Sequence, residues 1–253
     1  MNKRSEFNKI IRDIKSVKIQ GARNVAKSAL KAYSLIPTKS SKKKLLASRP
    51  TEPMMENVLD LAEKGGYAEA LEHFNDAQNK INKKIFKLIR NRDVIFTHCH
   101  STNVVNALIY AHKKGKKFEI YNTETRPLFQ GRKTARELLK AGIKVTMFVD
   151  SAIGVALSNE TGKKPDKVFL GADALLKNGI INKIGSETIA ILAKKEKIPV
   201  YVIADSWKST KKKIPIEQRA LNEIWDNAPK NIKMKNSAFE FVPKKYVERI
   251  ITE

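Results

Sequence analysis

The most reactive side chain in the sequence is Cys99, the only cysteine, which lies between His98 and His100. A short apolar run precedes it, and the polar residues 101–103 after it are suited to begin a helix. Unpaired amide N–H groups at a helix N-terminus stabilise negative charge, so a thiol here is expected to ionise and to act as a base or nucleophile. The same N-terminus suits an anion such as phosphate.

Other roles for this segment stay open on the sequence alone. His98, Cys99 and His100 are metal-ligand types, but side chains at a strand end alternate in direction and do not readily converge on one ion, so we expect no metal. A cysteine hydrolase needs a positioned histidine base, and no spacing singles one out. Cys99 could also be a small buried hydrophobe.

Composition sets the class of protein. The 253 residues are 42% hydrophobic, enough for a sizeable core and two modest domains. A single cysteine cannot close an internal disulfide, which favours a reducing compartment. No apolar run approaches the roughly 18 residues of a membrane span, and the charged start at residues 1–4 lacks the apolar region of a signal peptide. We expect a globular, cytoplasmic protein that does not bind membranes.

The charge is strongly positive, with 50 Lys and Arg against 26 Asp and Glu. Residues 1–50 contain 14 basic and 2 acidic side chains, so half of the net charge of +24 lies in the first fifth. Such a surface attracts phosphates in RNA, DNA or small metabolites, although a solvated lysine-rich surface gives the same composition. Aromatic residues are sparse and form no RNA-binding pattern.

Apolar residues recur at helical spacing in the first third of the chain. They predict helices over Phe7–Val17 and Ala22–Tyr33, a short helix over Met55–Ala62 and a long one over 71–88. The basic stretch Lys39–Lys44 is predicted to be a loop.

From about residue 91 the pattern changes to short β-rich runs that alternate with helices. The predicted strands are Val94–Thr97, Phe118–Asn122, Lys144–Val149, Lys167–Leu170 and Val200–Ala204, with an edge strand at Phe239–Val242. The predicted helices are Asn103–Lys114, Lys133–Ala141, Ala152–Asn159 and Ser186–Lys197. The fold class is therefore α/β: a small N-terminal helical domain, residues 1–90, and a C-terminal Rossmann-like domain, residues 91–253, with a doubly wound, mostly parallel sheet.

Polar residues follow several of these strands, where ligands bind in such sheets. Cys99 follows the first strand, Asp173 the fourth and Lys208 the fifth, while a turn over Asn178–Ser186 feeds the last helix. A thiol, a carboxylate and several cations are thus expected to meet. This set suits proton transfer on an anionic substrate.

These motifs occur in the order found in one family. They are His98–Ser101, Thr123–Pro127 with Gln130–Gly131, Val149–Ala152, Gly171–Asp173, Asn182–Gly185 and Lys208, preceded by Gly21–Ala22 and Arg49–Thr51. The chain resembles the alpha, beta and delta subunits of translation initiation factor 2B and the sugar-phosphate isomerases that share their fold. Among these it looks most like the archaeal isomerases of ribose 1,5-bisphosphate.

The resemblance implies that Cys99 is the base and Asp173 the acid in converting ribose 1,5-bisphosphate to ribulose 1,5-bisphosphate, within AMP and nucleotide salvage and without a cofactor. It implies substrate contacts at Gly21, Ala22, Arg49, Ser101, Thr102, Asn103, Asn182, Lys183 and Lys208. Gln20 stands where the isomerases usually have arginine, so either this phosphate contact is missing or Arg23 or Lys18 replaces it. The chemistry requires Asp173 to keep its proton near neutral pH and Cys99 to be a thiolate, assisted by Lys183.

The family also offers alternatives. A non-enzymatic regulatory subunit would bind a sugar phosphate or nucleotide and contact initiation factor 2. Methylthioribose-1-phosphate isomerases share the acid and base but usually carry Cys-Asn-Thr-Gly where this chain has Cys99–Thr102. The resemblance further implies a homodimer or hexamer and AMP as an activator.

Overall fold

The structure is a computed structural model that describes residues 2–160 and 162–253, so Met1, at the charged start, lies outside it. Within the described residues the N-terminal third folds into helices with apolar faces turned inward. They are α1 (Lys3–Lys15), α2 (Ala22–Leu35), α3 (Lys39–Ser48), α4 (Pro53–Glu63) and α5 (Tyr67–Leu88). The proposed division at residue 90 falls in the connection that follows α5.

The loop predicted over Lys39–Lys44 is wrong, because this segment opens α3. Thr38 caps the helix, its Oγ1 accepting the N–H of Ser41 at 3.1 Å, and Ser41 and Leu45 are buried on its inner face. Lysine is a good helix former, so a basic run continues a helix when one face is covered. The run of lysines made the segment look like a solvated loop, because its buried inner face is short.

The remainder alternates strands and helices, which confirms the predicted α/β class. In chain order the elements are β1 (Val94–Thr97), α6 (Thr102–Lys113), β2 (Glu119–Thr123), α7 (Gln130–Lys140), β3 (Lys144–Phe148), α8 (Ile153–Leu157), β4 (Lys167–Leu170), β5 (Ala174–Leu176), β6 (Gly179–Lys183), α9 (Ser186–Lys195), β7 (Val200–Ile203), β8 (Phe239–Pro243) and β9 (Arg249–Ile251). The predicted helix over Ala152–Asn159 is shorter, a 3₁₀ turn followed by α8.

The main sheet has the strand order β3-β2-β1-β4-β7-β9, and its neighbours pair in parallel. Both faces are covered: Val94 and Phe96 pack on one side with residues of α8 and α9, while Ile95 packs on the other with residues of α5 and α6. The order reverses between β1 and β4, and α/β sheets bind ligands beyond the carboxyl ends of the strands at such a point. No helix in the described part of the chain combines the length and apolar content needed to cross a bilayer.

A second, antiparallel sheet with the order β5-β6-β8 lies beside the main one and was not predicted as a sheet. The turn predicted over Asn178–Ser186 is mostly strand β6, and the predicted edge strand Phe239–Val242 pairs with β6 rather than with the main sheet. These strands are three to five residues long, too short for alternation to stand out. The small sheet carries Asn182 and Lys183 towards the ends of β1 and β4.

Candidate functional site

A cleft with about 900 Å³ of empty space, including its open part, lies at the reversal point of the main sheet. It brings together the residues for which the sequence predicted a role, except Lys18, which does not line it. These are Gln20, Gly21, Ala22, Arg23, Arg49, Cys99, Ser101, Thr102, Asn103, Asp173, Asn182, Lys183 and Lys208. Residues from the helical third and from both sheets therefore form one concave surface.

Cys99 lies between the end of β1 and Ser101, whose side chain caps α6. It is partly exposed to the cleft. Burial raises the pKa of the Cys99 thiol to about 11, although Lys183 and the backbone N–H of His100 act in the opposite direction. This direction is opposite to the expected thiolate in the ligand-free protein, because the loss of solvation outweighs Lys183 and the His100 N–H.

The two histidines beside Cys99 are held in separate hydrogen bonds. His98 is buried, its Nε2–H donating to the Ile184 carbonyl at 2.9 Å and its Nδ1 accepting from Thr123 Oγ1 at 2.5 Å. Burial lowers the pKa of His98, and it lowers the pKa of His100 to about 4. Both rings are therefore neutral near pH 7. His98 is held by Thr123 and Ile184, whereas His100 is held by Thr134 on α7.

Asp173 follows β4 through Gly171 and Ala172, and its backbone N–H donates to the Ile181 carbonyl at 2.8 Å. Burial raises its pKa, and Lys208, Lys183 and Arg49 oppose this increase. The direction agrees with the requirement that Asp173 keep a proton.

Lys208, Lys183 and Arg49 all act electrostatically on this carboxyl group. Lys208 is buried, and its Nζ donates to the Ala172 carbonyl at 2.6 Å. The buried Lys183 lies with its Nζ 4.9 Å from the centroid of the Phe239 ring. Asn182 donates to Ser186 Oγ at 2.8 Å, which fixes its amide at the end of β6. These groups form a positive wall suited to a phosphorylated ligand.

Arg49 is the cation in the cleft whose hydrogen bonds are incomplete. Its Nη2 donates to Glu217 Oε2 at 3.2 Å and its Nε lies 3.5 Å from Glu52 Oε1. The side chain is 9% exposed, and its Nε and Nη1 have no hydrogen-bond partner among the described residues. Buried N–H groups normally have hydrogen-bond partners. The unpaired Nε and Nη1 of Arg49 therefore indicate a place for an anionic ligand.

Glu52 is a functional candidate that the sequence analysis missed. Glu52 is 3% exposed, and neither of its carboxylate oxygens has a hydrogen-bond partner in the described part of the chain. Burial, with the nearby Asp173, raises its pKa to about 8, although Arg49 and Lys208 act against this. The available signal was the spacing from Arg49, since residues three apart are neighbours within a turn.

The long connection between β7 and β8 supplies further residues that sequence reasoning missed. Glu217 and Arg219 line the cleft and are joined by a hydrogen bond of 3.2 Å. Glu217 also contacts Arg49, from which it is separated by 168 residues, so no local pattern could have linked them. Gln130 lines the cleft as well, with a buried Oε1 that lacks a partner among the described residues.

Gln20 occupies the position at which the isomerases usually have an arginine. Arg23 lines the cleft, but its guanidinium donates to Gln78 at 3.3 Å and to Asn75 at 3.4 Å. Gly21 precedes α2 with φ of 83° and ψ of 131°, which essentially only glycine adopts. This corner therefore presents glycine and backbone rather than a free cation.

Helix α5 fixes the segment that carries Lys208. The His73 ring stacks on Trp207 with ring centroids 3.6 Å apart, and its Nε2 lies 2.9 Å from Asp205 Oδ1. Glu253 completes a group of three potential ligand-bearing side chains with His73 and Asp205. Its carboxylate is held by the N–H and hydroxyl of Ser206. Because hydrogen bonds already join these groups, we interpret them as a link between the helices and the sheet.

The fold and cleft define an α/β protein with a cleft lined by cations between a parallel sheet and a helical domain. Residues 37–253 match the model of the initiation factor 2 subunit family, and the chain belongs to that family. The ribose 1,5-bisphosphate isomerase of Methanocaldococcus jannaschii is 34% identical over 274 residues, which cover 95% of this chain and 87% of the relative. That of Thermococcus kodakarensis is 32% identical, over 98% of this chain and 89% of the relative.

Solved structures agree with this assignment. The translation initiation factor eIF-2B of Pyrococcus horikoshii superposes with a TM-score of 0.86 at 26% identity, over 97% of this chain and 94% of that protein. The family resemblance expected from the sequence motifs is therefore confirmed.

Proposed function

We propose that this chain is an aldose–ketose isomerase that converts ribose 1,5-bisphosphate to ribulose 1,5-bisphosphate, with Asp173 as acid and Cys99 as base. The observation that carries the proposal is the cleft that Cys99 and Asp173 share with the incompletely paired Arg49. Relatives over most of the chain are named for this reaction. Methylthioribose-1-phosphate isomerases match a smaller part, such as the enzyme of Desulforamulus reducens at 34% identity over 70% of this chain.

The chemistry follows from the blocked anomeric oxygen of an aldose 1-phosphate. Ring opening to a free aldehyde is impossible while that oxygen carries a phosphate. Asp173 gives its proton to the ring oxygen as the bond from that oxygen to C1 breaks, and Cys99 removes the proton from C2. The electron pair of the C2–H bond forms a C1–C2 double bond. Cys99 then returns its proton to C1, and the C2 hydroxyl proton restores Asp173, which leaves a ketone at C2.

The substrate carries two phosphates, each near −2, and calls for several cations and amides. Arg49 has two free nitrogens, Lys183 and Lys208 lie beside Asp173, and residues 101–103 open α6 with unpaired N–H groups. Gly21 offers backbone from the helical third of the chain. Homodimer or hexamer formation and activation by AMP belong to the same proposal.

The test is to incubate the purified protein with ribose 1,5-bisphosphate and follow the ketose product by phosphorus NMR. Cys99→Ser should keep substrate binding and lose at least about a hundredfold in turnover, the usual scale for a general base. Asp173→Asn should be similarly inactive because an amide cannot donate that proton. Asp166→Asn is the matched control, since Asp166 accepts the Val94 N–H at the opposite end of the sheet. Near-normal turnover in Cys99→Ser would refute the mechanism.

A second candidate is a regulatory subunit that binds a sugar phosphate or nucleotide and contacts initiation factor 2. Gln20, in place of the arginine usual in the isomerases, favours it, as does the similarity to the Pyrococcus horikoshii factor. Saturable binding of ribose 1,5-bisphosphate without product would support it. Methylthioribose 1-phosphate is tested as the comparison substrate in the same NMR assay. AMP is added at increasing concentrations to test the proposed activation.

A further inference from the structure

The backbone of Cys99 adopts a left-handed conformation, with φ of 62°. This conformation is disfavoured for residues other than glycine because the Cβ atom crowds the backbone. A non-glycine residue keeps it where surrounding contacts hold it there. The peptide groups on both sides of Cys99 are therefore expected to be fixed by the rest of the fold.

Two buried threonines make these contacts. The N–H of Cys99 donates to Thr125 Oγ1 at 3.0 Å, and the hydroxyl of Thr134 donates to the Cys99 carbonyl at 2.8 Å. Each threonine is 1% exposed. Thr125 lies in the loop after β2 and Thr134 on α7, so two segments distant from β1 hold Cys99 from opposite ends.

Asp150 supports the first of these contacts. Thr125 is itself left-handed, with φ of 61°. Its N–H donates to Asp150 Oδ1 at 2.9 Å, and the N–H of Arg126 donates to Asp150 Oδ2 at 2.6 Å. A chain of hydrogen bonds thus runs from the end of β3 to the peptide group of Cys99.

We propose that Thr125 and Thr134 are positioning residues that hold Cys99 left-handed and so direct its thiol into the cleft, with Asp150 acting through Thr125. The direction of a Cα–Cβ bond is set by the backbone, so a return of Cys99 to ordinary φ moves the sulfur. Displacing a reacting group by about 1 Å costs on the order of a hundredfold in rate. The effect on turnover rests on the proposed isomerase function, whereas the effect on the thiol does not.

The test compares three variants that each remove one buried hydroxyl while keeping its shape: Thr125→Val, Thr134→Val and the control Thr97→Val. Thr97 is 2% exposed, and its hydroxyl donates to the Phe169 carbonyl at 2.8 Å rather than to the Cys99 peptide groups. Thr97→Val therefore removes one buried hydrogen bond, as the two site variants do, and controls for the resulting loss of stability. Thr134→Ser keeps the hydroxyl and is the rescue variant.

In the isomerase assay, Thr125→Val and Thr134→Val should lower kcat at least about tenfold with KM within about twofold of wild type. Thr97→Val and Thr134→Ser should stay near wild type. Alkylation of Cys99 by iodoacetamide should be about fivefold faster in the two site variants, because a released thiol is more exposed. Equal kcat and alkylation rates in Thr134→Val and Thr97→Val would overturn the proposal. If wild type shows no isomerase activity, the proposed function fails and the alkylation rates alone decide.

Discussion

Replacing Glu52 by glutamine should stabilise the protein in a pH-dependent manner. Glutamine has nearly the same shape as a protonated glutamic acid and keeps an oxygen beside Arg49. The folded pKa of Glu52 is about 8 and its ordinary value is 4.5. Below pH 4.5 the carboxyl group is protonated in both the folded and unfolded states, and its full contribution to stability is present. Between 4.5 and 8 the unfolded chain releases this proton while the folded protein retains it, so stability is lost as pH rises.

The size of the effect follows from the pKa values. Each pH unit between the two pKa values costs about 1.36 kcal/mol. At pH 7, which lies 2.5 units above 4.5, native Glu52 therefore lowers the free energy of unfolding by about 3 kcal/mol relative to the glutamine variant. In a chain of this length that corresponds to a melting temperature about 6 to 12 °C higher for Glu52→Gln. At pH 5 the difference should be below about 1 kcal/mol.

The assay is urea denaturation of wild type and Glu52→Gln at pH 5, 7 and 8.5, followed by tryptophan fluorescence. Glu56→Gln is the matched control, because Glu56 lies in the first turn of α4, which begins directly after Glu52, but pairs with Lys212 at the surface. The control should show little change in stability at any of the three pH values. A stability difference for Glu52→Gln that is the same at pH 5 and 8.5, or a more stable wild type at pH 8.5, would refute this account of the buried carboxyl group.

Two other perturbations test the immediate surroundings of the thiol. The rate of Cys99 alkylation by iodoacetamide should rise about tenfold per pH unit from pH 7 to 10, because its pKa is about 11; levelling at or below pH 9 would contradict this. Gly171→Ala should place its new Cβ 2.7 Å from the Cβ and Oγ of Ser101, displacing Ser101 and lowering unfolding free energy by about 1–3 kcal/mol together with kcat/KM. Gly154→Ala, with open space around it, is the control, and equal effects in the two glycine variants would exclude the steric explanation.

The parts of the fold that were predicted correctly follow from strong local patterns. Strands Val94–Thr97 and Lys167–Leu170 lie where the sequence placed them, because continuous apolar runs mark strands buried on both faces. Polar residues after such strands are brought together by parallel pairing, so the meeting of Cys99 and Asp173 in one cleft was predictable. The small sheet that contains Gly179–Lys183 was missed because its strands are short and its partner β8 is distant in sequence.

The errors at the site have a different origin, since they concern solvation and long-range contacts. A helix terminus beside Cys99 suggested a thiolate, but the amount of solvent removed around the sulfur depends on segments such as β6 and α7. The pairing of Arg49 with Glu217 likewise depends on how the chain between β7 and β8 folds back over the cleft. Sequence therefore indicated which groups meet, whereas their protonation required the packing around them.

Under the proposed mechanism, the cleft prepares its acid and its base unequally. Burial already favours the protonated form of Asp173, and a phosphate bound at Arg49 adds negative charge that favours this form further. The same negative charge disfavours ionisation of Cys99, whose pKa is already about 11. Substrate binding alone thus supplies the acid but not the base. Forming the thiolate therefore depends on Lys183, which contributes most to lowering the pKa of Cys99. It also depends on a backbone conformation that keeps the sulfur near the Lys183 ammonium group.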